Sequence, residues 1–115
     1  MAEDCVFCQI VAGKKDGRVI YRDEQVTAFW DQRPVSPVHL LIVPNKHITS
    51  LNQLEKKDEG LLGHMIMVAK QLAQEQGVDQ DGYRLVINTG LYSGQSVFHL
   101  HLHLIAGRPL PVHLG

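Results

Sequence analysis

The sequence has little of what marks a membrane, secreted or nucleic-acid-binding protein. No apolar run approaches the roughly 20 residues that a membrane-spanning helix needs. Two cysteines cannot build a disulfide framework. The formal net charge of −1 gives no electrostatic reason to expect nucleic acid or a membrane surface as a partner. Acidic Glu3 and Asp4 stand where a secretion signal would be basic. We therefore expect a cytoplasmic protein.

What is present is an ordinary globular composition. Hydrophobic residues make up 44% of the chain and charged residues 20%, which argues against disorder. A chain of 115 residues can bury a core of its own. We expect a single domain over residues 1–115.

Short apolar segments bounded by turn residues predict five strands, at residues 18–22, 25–30, 38–43, 83–88 and 99–104. The tight Asp23-Glu24 turn makes the first two strands a hairpin. A short helix is expected over residues 5–12. The fold class is therefore α+β, an antiparallel sheet of about five strands with one long helix and a short N-terminal helix.

The long helix is predicted between the third and fourth strands. Apolar side chains recur at intervals of three and four residues from Leu61 to Leu72. Asp58 is a plausible N-cap, and Gly77 follows the last turn as a C-terminal glycine does.

Seven histidines are unusual in so short a chain, and three of them alternate with leucine at residues 99–104. In a strand, Leu100 and its alternate neighbours face a core, while His99, His101 and His103 lie on the other face. Neighbouring histidines are then about 6.6 Å apart. One small metal ion cannot easily gather all three from a straight strand. A solvent-facing strand that happens to be rich in histidine would give the same alternation.

The loop before the histidines carries Gly90, Gly94, Gln95 and Ser96. Glycines let the backbone approach a ligand, and amide and hydroxyl donors suit an anionic oxygen such as phosphate. A neutral imidazole beside that phosphate could attack phosphorus. The pattern favours phosphoryl chemistry through a histidine.

Cys5 and Cys8 form a C-x-x-C pair. Such a pair is either half of a metal site or a redox pair, and two small residues on a short helix would also explain it. Because no other cysteine exists, a metal would need histidines as its remaining ligands.

Four spaced motifs run through the chain: Phe29-x-Asp31-x-x-Pro34; His39-x-Leu41-Ile42-Val43-Pro44-x-x-His47; Asn88-x-Gly90; and Gly94-Gln95-Ser96-Val97-x-His99-x-His101-x-His103. Together they resemble the histidine triad (HIT) nucleotide hydrolases and transferases, over about residues 5–108. Gly-Gln-Ser before the triad is similar to the Hint branch, the nucleoside phosphoramidases. The branch that cleaves dinucleoside polyphosphates tends to have threonine at the position of Ser96, and the transferases have glutamine in place of His103.

The resemblance implies catalytic roles. His101 would attack the α-phosphorus and become a nucleotidyl-histidine, while the backbone carbonyl of His99 holds its ring in the reactive tautomer. His39 would lie close to this nucleophile. Ser96 would assist departure of the leaving amine, and His103 would contact phosphate oxygens.

The resemblance also implies how the nucleotide is bound. Asp31 would accept hydrogen bonds from the ribose hydroxyls. Asn88 would line the phosphate site, Gly94 would belong to the phosphate loop, and Gln95 would contact phosphate oxygens.

A structural zinc site is implied too, as in many bacterial HIT proteins. His47 and His99 would complete the set begun by Cys5 and Cys8. Four protein ligands would close the site, so the zinc would be structural.

The Hint branch forms homodimers through sheets and helices. The resemblance therefore implies a homodimer with an extended sheet, in which some of Leu62, Met65, Met67 and Val68 contact a second chain. His64 is expected to be partly buried without a ligand role, and His113 has no assigned role.

The implied function is hydrolysis of purine nucleoside 5′-phosphoramidates or acyl-nucleotidates, releasing a nucleoside monophosphate. The alternatives are a dinucleoside polyphosphate hydrolase, a non-catalytic nucleotide- or partner-binding module, and a metalloenzyme that holds one metal between His99 and His101. The tail after Arg108 lacks the tryptophan of some relatives, so the resemblance does not specify the substrate.

Overall fold

The structure is a computed structural model that describes residues 4–112. Its helices and strands are α1 (Val6–Val11), β1 (Val19–Arg22), β2 (Val26–Trp30), β3 (Val38–Pro44), α2 (Glu59–Glu75), β4 (Tyr83–Val86) and β5 (Leu102–Ala106). Within residues 4–112 no helix combines the length and apolar character that crossing a bilayer requires. His113 lies outside the described residues.

The five strands form one antiparallel sheet in the order β1-β2-β3-β5-β4. Side chains alternate across the central strand β3, because successive residues of a strand point to opposite faces. Leu40 and Ile42 pack in the main core with α2, whereas Leu41 and Val43 pack under α1. The predicted α+β class, with its hairpin and two helices, is confirmed.

The histidine strand begins later than predicted. Its alternation holds, since Leu100, Leu102 and Leu104 are all at most 2% exposed, but β5 starts only at Leu102. The backbone N–H of Leu100 donates to the carbonyl of Ile48 at 2.6 Å. Residues 99–101 are therefore tied to the segment that follows β3 and not to the sheet. Strand β4 is also shorter than expected and ends at Val86, opposite His103.

Helix α2 begins and ends where the sequence indicates, with Asp58 at the N-cap position and Gly77 in a left-handed conformation after the last turn. The Asp58 carboxylate does not cap this helix, however. It accepts hydrogen bonds from the backbone of Glu55 and from Lys46 Nζ. The reason is local, because a preceding 3-10 turn brings the Glu55 N–H within 2.9 Å of the carboxylate.

The four α2 positions expected at a dimer contact divide between the core and the surface. Met65 and Val68 are buried in the chain's own core, and Leu62 packs against it. Only Met67 is exposed, at 59%. Met65 and Val68 are therefore unavailable to a second chain, and the expected contact stays a prediction for Leu62 and Met67.

Candidate functional site

A cavity of about 420 Å³ opens between α1, the loop after β2 and the segment that leads into β5. It brings together most of the residues that the sequence singles out. The predicted catalytic and nucleotide-binding residues that line it are Asp31, His39, Asn88, Gly94, Ser96, His101 and His103. Within residues 4–112, Gln95 is the one member of that set that does not line the cavity.

His101 has one ring nitrogen engaged and one available. Its Nδ1 lies 2.7 Å from the backbone oxygen of His99, and since a carbonyl only accepts, Nδ1 carries the hydrogen. Nε2 has no hydrogen-bond partner within the described part of the chain. Burial lowers the pKa of His101, partly offset by the bond to His99. A neutral imidazole with a bare Nε2 at the cavity can act as a nucleophile.

Three further groups form a connected row at the cavity. His39 Nε2 lies 2.9 Å from His103 Nδ1 and 3.4 Å from Asp31 Oδ2. Burial lowers the pKa of His39, and burial together with the neighbouring His101 and His39 lowers that of His103 to about 4. Both imidazoles are therefore neutral near pH 7, and the row joins a carboxylate to a triad histidine.

The conformation of the loop before the triad depends on two glycines with positive φ and on one buried side-chain amide. Gly90 and Gly94 have φ values of 84° and 91°, which side-chain-bearing residues rarely adopt. The Gln95 amide donates to the carbonyls of Thr49 and Val97 and accepts from the N–H of Gly90. The expected contact of Gln95 with phosphate stays a prediction, because here its side chain braces the loop.

The cavity also has an apolar wall that none of the sequence motifs indicates. Helix α1 contributes Val6, Phe7 and Ile10, and the sheet contributes Phe29 and Leu41. The i, i+4 spacing of Val6 and Ile10 does indicate that one face of α1 is apolar. That spacing on a six-residue helix could not show which surface the helix would cover.

At the N-terminal end of α1, the sulfurs of Cys5 and Cys8 lie with the imidazoles of His47 and His99. Cys5 Sγ and Cys8 Sγ are 3.3 and 3.4 Å from His99 Nδ1, and Cys8 Sγ is 3.2 Å from His47 Nδ1. All four candidate ligand atoms lie within 4.8 Å of one another. Tetrahedral zinc bonded to sulfur at about 2.3 Å and nitrogen at about 2.05 Å would separate neighbouring S and N ligands by about 3.5 Å. The four residues thus fit a metal ion.

The buried ring of His99 is oriented as a metal ligand requires. Its Nε2 donates to the backbone oxygen of Pro44 at 2.9 Å, which leaves Nδ1 bare toward the two sulfurs. Metal-bound histidines usually donate their other ring N–H in this way. Burial and the hydrogen bond with Cys5 raise the pKa of the Cys8 thiol to about 11 in the metal-free protein, and a cation would reverse that effect.

The alternative of one metal shared by His99 and His101 does not fit. His99 Nδ1 faces the cysteines, whereas His101 Nδ1 faces the His99 carbonyl. Within residues 4–112, His101 belongs to no cluster of potential metal ligands.

A family model and proteins of known name match nearly the whole chain. A family model described as "Scavenger mRNA decapping enzyme C-term binding" matches residues 4–109. The purine nucleoside phosphoramidase of Escherichia coli K12 is 44% identical over 110 residues, covering 96% of this chain and 92% of that protein.

Solved structures of histidine triad proteins are similar to this chain as well. A HIT family hydrolase from Legionella pneumophila superposes with a TM-score of 0.92 at 43% identity, covering 95% of this chain and 97% of the other. A zinc-bound histidine triad family protein from Mycobacterium smegmatis has a TM-score of 0.80 at 31% identity, covering 94% of this chain and 78% of the other.

Proposed function

The chain belongs to the histidine triad family and is a nucleotide hydrolase, and we propose that it hydrolyses purine nucleoside 5′-phosphoramidates or acyl-nucleotidates. The observation that carries the proposal is the bare Nε2 of His101, set at the cavity by the bond from Nδ1 to the His99 carbonyl. The identity to the E. coli phosphoramidase supports the substrate class.

The reaction proceeds in two displacements. His101 Nε2 attacks the α-phosphorus as the bond from phosphorus to the leaving nitrogen or acyl oxygen breaks, giving a nucleotidyl-histidine. The departing nitrogen takes up a proton and leaves as an amine, whereas an acyl group leaves as a carboxylate. Water then attacks phosphorus, releases the nucleoside monophosphate and restores His101. A covalent intermediate divides one difficult displacement into two easier ones.

The other cavity residues suit the remaining roles. Ser96 is exposed at the cavity and can donate to the leaving group, and Asn88 and Gly94 line the phosphate end. The Asp31 carboxylate is 19% exposed and can accept from ribose hydroxyls. The apolar wall of α1 offers a surface for a base. Donors placed where charge develops stabilise the transition state.

The experiment compares His101→Asn with the wild type on adenosine 5′-phosphoramidate. The variant should lose turnover while still binding adenosine monophosphate. His64→Asn is the matched control and should retain turnover, because His64 lies on α2 away from the cavity. Near-wild-type turnover by His101→Asn would show that the nucleophile is assigned incorrectly.

A substrate panel separates the alternatives. Faster turnover of diadenosine polyphosphate than of the phosphoramidate would indicate the polyphosphate hydrolase. Binding of adenosine monophosphate without turnover of any nucleotide would indicate a non-catalytic module.

We further propose that Cys5, Cys8, His47 and His99 hold a structural zinc ion. The fit of their ligand atoms and the zinc-bound relative support this. A C-x-x-C pair that binds a metal suits a reducing compartment, which supports a cytoplasmic setting. Elemental analysis after purification in metal-free buffer should find close to one zinc per chain, and less than about 0.2 would rule the site out.

A homodimer is also proposed. Strand β4 lies at the edge of the sheet, where its outer side has no partner strand within the described chain. Helix α2 exposes Ile66 and Met67 at 45% and 59%. Light scattering on the eluted protein should give twice the chain mass, and Met67→Glu should shift it toward the monomer.

A further inference from the structure

His39 is held at both ring nitrogens, and the two contacts determine where its hydrogen lies. The backbone N–H of Val35 donates to Nδ1 at 3.1 Å. A nitrogen that accepts a hydrogen bond carries no hydrogen of its own, so neutral His39 has its hydrogen on Nε2. That Nε2–H points to His103 Nδ1 at 2.9 Å, with Asp31 Oδ2 as a second, more distant acceptor at 3.4 Å.

The contact with His39 also determines where the hydrogen of the next ring lies. His103 Nδ1 accepts from His39, so the hydrogen of neutral His103 lies on Nε2. No protein group within residues 4–112 bonds that Nε2, and His103 lines the cavity. His101 has the opposite tautomer, with its hydrogen on Nδ1 toward the His99 carbonyl. Two adjacent triad histidines, with ring centroids 4.9 Å apart, therefore offer a lone pair and an N–H respectively.

We propose that His39 is a positioning residue that fixes the tautomer of His103, so that His103 presents Nε2–H as a donor to the phosphoryl oxygens while His101 presents a bare Nε2. The proposal rests on the proposed hydrolase function. The orientation begins at one backbone N–H, that of Val35, and passes through His39 to His103. If His103 had the other tautomer, its lone pair would face the negatively charged oxygens and repel them.

The peptide that starts this chain of bonds is itself anchored. Arg108 donates through Nη2 to the backbone oxygen of Val35 at 3.0 Å. The loop from Asp31 to Val35 is further fixed by the Arg33 N–H, which donates to Asp31 Oδ1 at 2.7 Å. The N–H of Val35 is therefore presented to His39 by a segment held at two points.

The same three side chains could be mistaken for a second metal site. Asp31, His39 and His103 place one carboxylate oxygen and two ring nitrogens within 4.8 Å, a donor set that iron, zinc and copper accept. Coordination through His39 Nε2 would require that nitrogen to be bare. The hydrogen would then move to Nδ1 and face the N–H of Val35. The Val35 contact thus favours a hydrogen-bonded row over a metal site.

The test reads the tautomers directly. Two-bond ¹H–¹⁵N correlations of the zinc-loaded protein should show His103 with hydrogen on Nε2 and His101 with hydrogen on Nδ1. His103 with its hydrogen on Nδ1 would overturn the proposal whatever the variants do. Titration with zinc should saturate at one ion per chain, and a second bound ion that displaces the His39 signals would also overturn it.

Two amide variants separate positioning from mere packing. In His39→Gln the side-chain amide nitrogen can replace the Nε2–H donor, whereas in His39→Asn the shorter side chain can replace only the Nδ1 acceptor, through its oxygen. His39→Gln should keep the His103 tautomer, with kcat within about threefold of wild type. His39→Asn should give mixed tautomers and lose about 10- to 100-fold in kcat, a loss like that seen when the partner that orients a metal-bound histidine is removed. The KM should change little in both.

Equal losses in His39→Gln and His39→Asn, with the His103 tautomer unchanged, would contradict the proposal. This failure differs from failure of the proposed function. If the wild type turned over no nucleotide, the function would be wrong, yet the tautomer of His103 would still be measured. If His101→Asn were inactive and both His39 variants fully active, the function would stand and the role of His39 would not.

Discussion

Nδ1 of His101 donates to the backbone oxygen of His99 across 2.7 Å, and this bond joins the two centres of the molecule. The ring of His99 is fully buried among the candidate metal ligands, while its carbonyl orients the ring of His101, the proposed nucleophile. One residue therefore contributes its side chain to the candidate metal site and its backbone oxygen to the cavity. Both sites therefore depend on the position of this one peptide in the folded chain.

Removal of the metal should lower stability before it lowers the rate. The four candidate ligands come from the first turn of α1 and the residue before it, from the segment after β3 and from the segment before β5, so an ion there would tie three distant parts of the chain together. Free zinc at a thousand times Kd would stabilise the fold by about 4 kcal/mol. Thermal unfolding with and without a chelator should show a clear drop in Tm, with turnover retained at temperatures where the apoprotein remains folded.

Cys8→Ser is the variant that checks this. It removes one ligand, so its Tm should already be low and should respond little to the chelator. Immediate loss of turnover in fully folded, chelated protein would instead indicate a metal that acts in catalysis.

Gln95 should matter for the fold of the loop more than for contact with phosphate. In Gln95→Glu, a carboxylate would face the carbonyls of Thr49 and Val97, which now accept from the amide. Leaving buried acceptors unpaired beside a charge should cost about 3 kcal/mol in the free energy of unfolding, measured by urea denaturation. Gln74→Glu on the exposed face of α2 is the control and should cost under about 0.5 kcal/mol.

One outcome would support the predicted contact of Gln95 with phosphate. If Gln95→Glu kept wild-type stability and only raised the KM for the nucleotide, the side chain would act on phosphate.

Periodicity predicted those parts of the fold that burial determines. The alternation at residues 99–104 identified Leu100, Leu102 and Leu104 as core, and all three are buried. It did not predict where pairing begins, because Leu100 bonds to the Ile48 carbonyl in place of a neighbouring strand. Such a bond depends on a segment about fifty residues away in the chain, about which local pattern carries no information.

In the site, too, local sequence pattern does not predict contacts with distant segments. Residue types and spacing singled out the histidines and both cysteines, because few side chains can attack phosphorus or bind a metal through nitrogen or sulfur. They did not give the direction of the Gln95 amide or the apolar wall of α1. Both depend on packing: Gln95 bonds the carbonyls of Thr49 and Val97, and Phe7 lies edge-on to the ring of His101, with centroids 5.2 Å apart.

Gly17→Ala should perturb the apolar wall of the cavity. A methyl group added at Gly17 would come within 2.7 to 2.9 Å of three side-chain atoms of Ile10, which is itself only 2% exposed. Overpacking of this kind costs about 1 to 3 kcal/mol. Because Ile10 lines the cavity, affinity for adenosine monophosphate should fall as well, as measured by calorimetry.

The compensating change is Ile10→Val, which removes one of the clashing carbons. The double variant should recover part of the stability lost by Gly17→Ala, so the two effects should not add. Gly60→Ala serves as the control, because a methyl group there meets nothing within 4 Å. Simple additivity of Gly17→Ala and Ile10→Val would contradict the contact.

Asp23 should stabilise the fold in a pH-dependent way. Its Oδ2 accepts from the Tyr21 hydroxyl at 2.7 Å and faces His64 Nε2 at 2.6 Å, while Oδ1 accepts from the N–H groups of Gln25 and Val26. Burial alone would raise the pKa of Asp23, but these hydrogen bonds outweigh it and hold the pKa well below its usual range. A carboxyl whose pKa is lowered on folding binds fewer protons in the native state, so its contribution is present above the unfolded pKa.

The variant Asp23→Asn tests this pH dependence. The wild type should exceed this variant by about 2 kcal/mol in free energy of unfolding at pH 6, because the amide loses the charge that strengthens the bonds from Tyr21 and His64. That difference should shrink as the pH falls below about 4, where the unfolded chain takes up the proton that native Asp23 resists. Asp81→Asn, at an exposed position, should show no such trend. A difference that stayed constant as the pH fell well below about 4 would mean that the charge of Asp23 contributes nothing and that only its shape holds α2 to the β1–β2 hairpin.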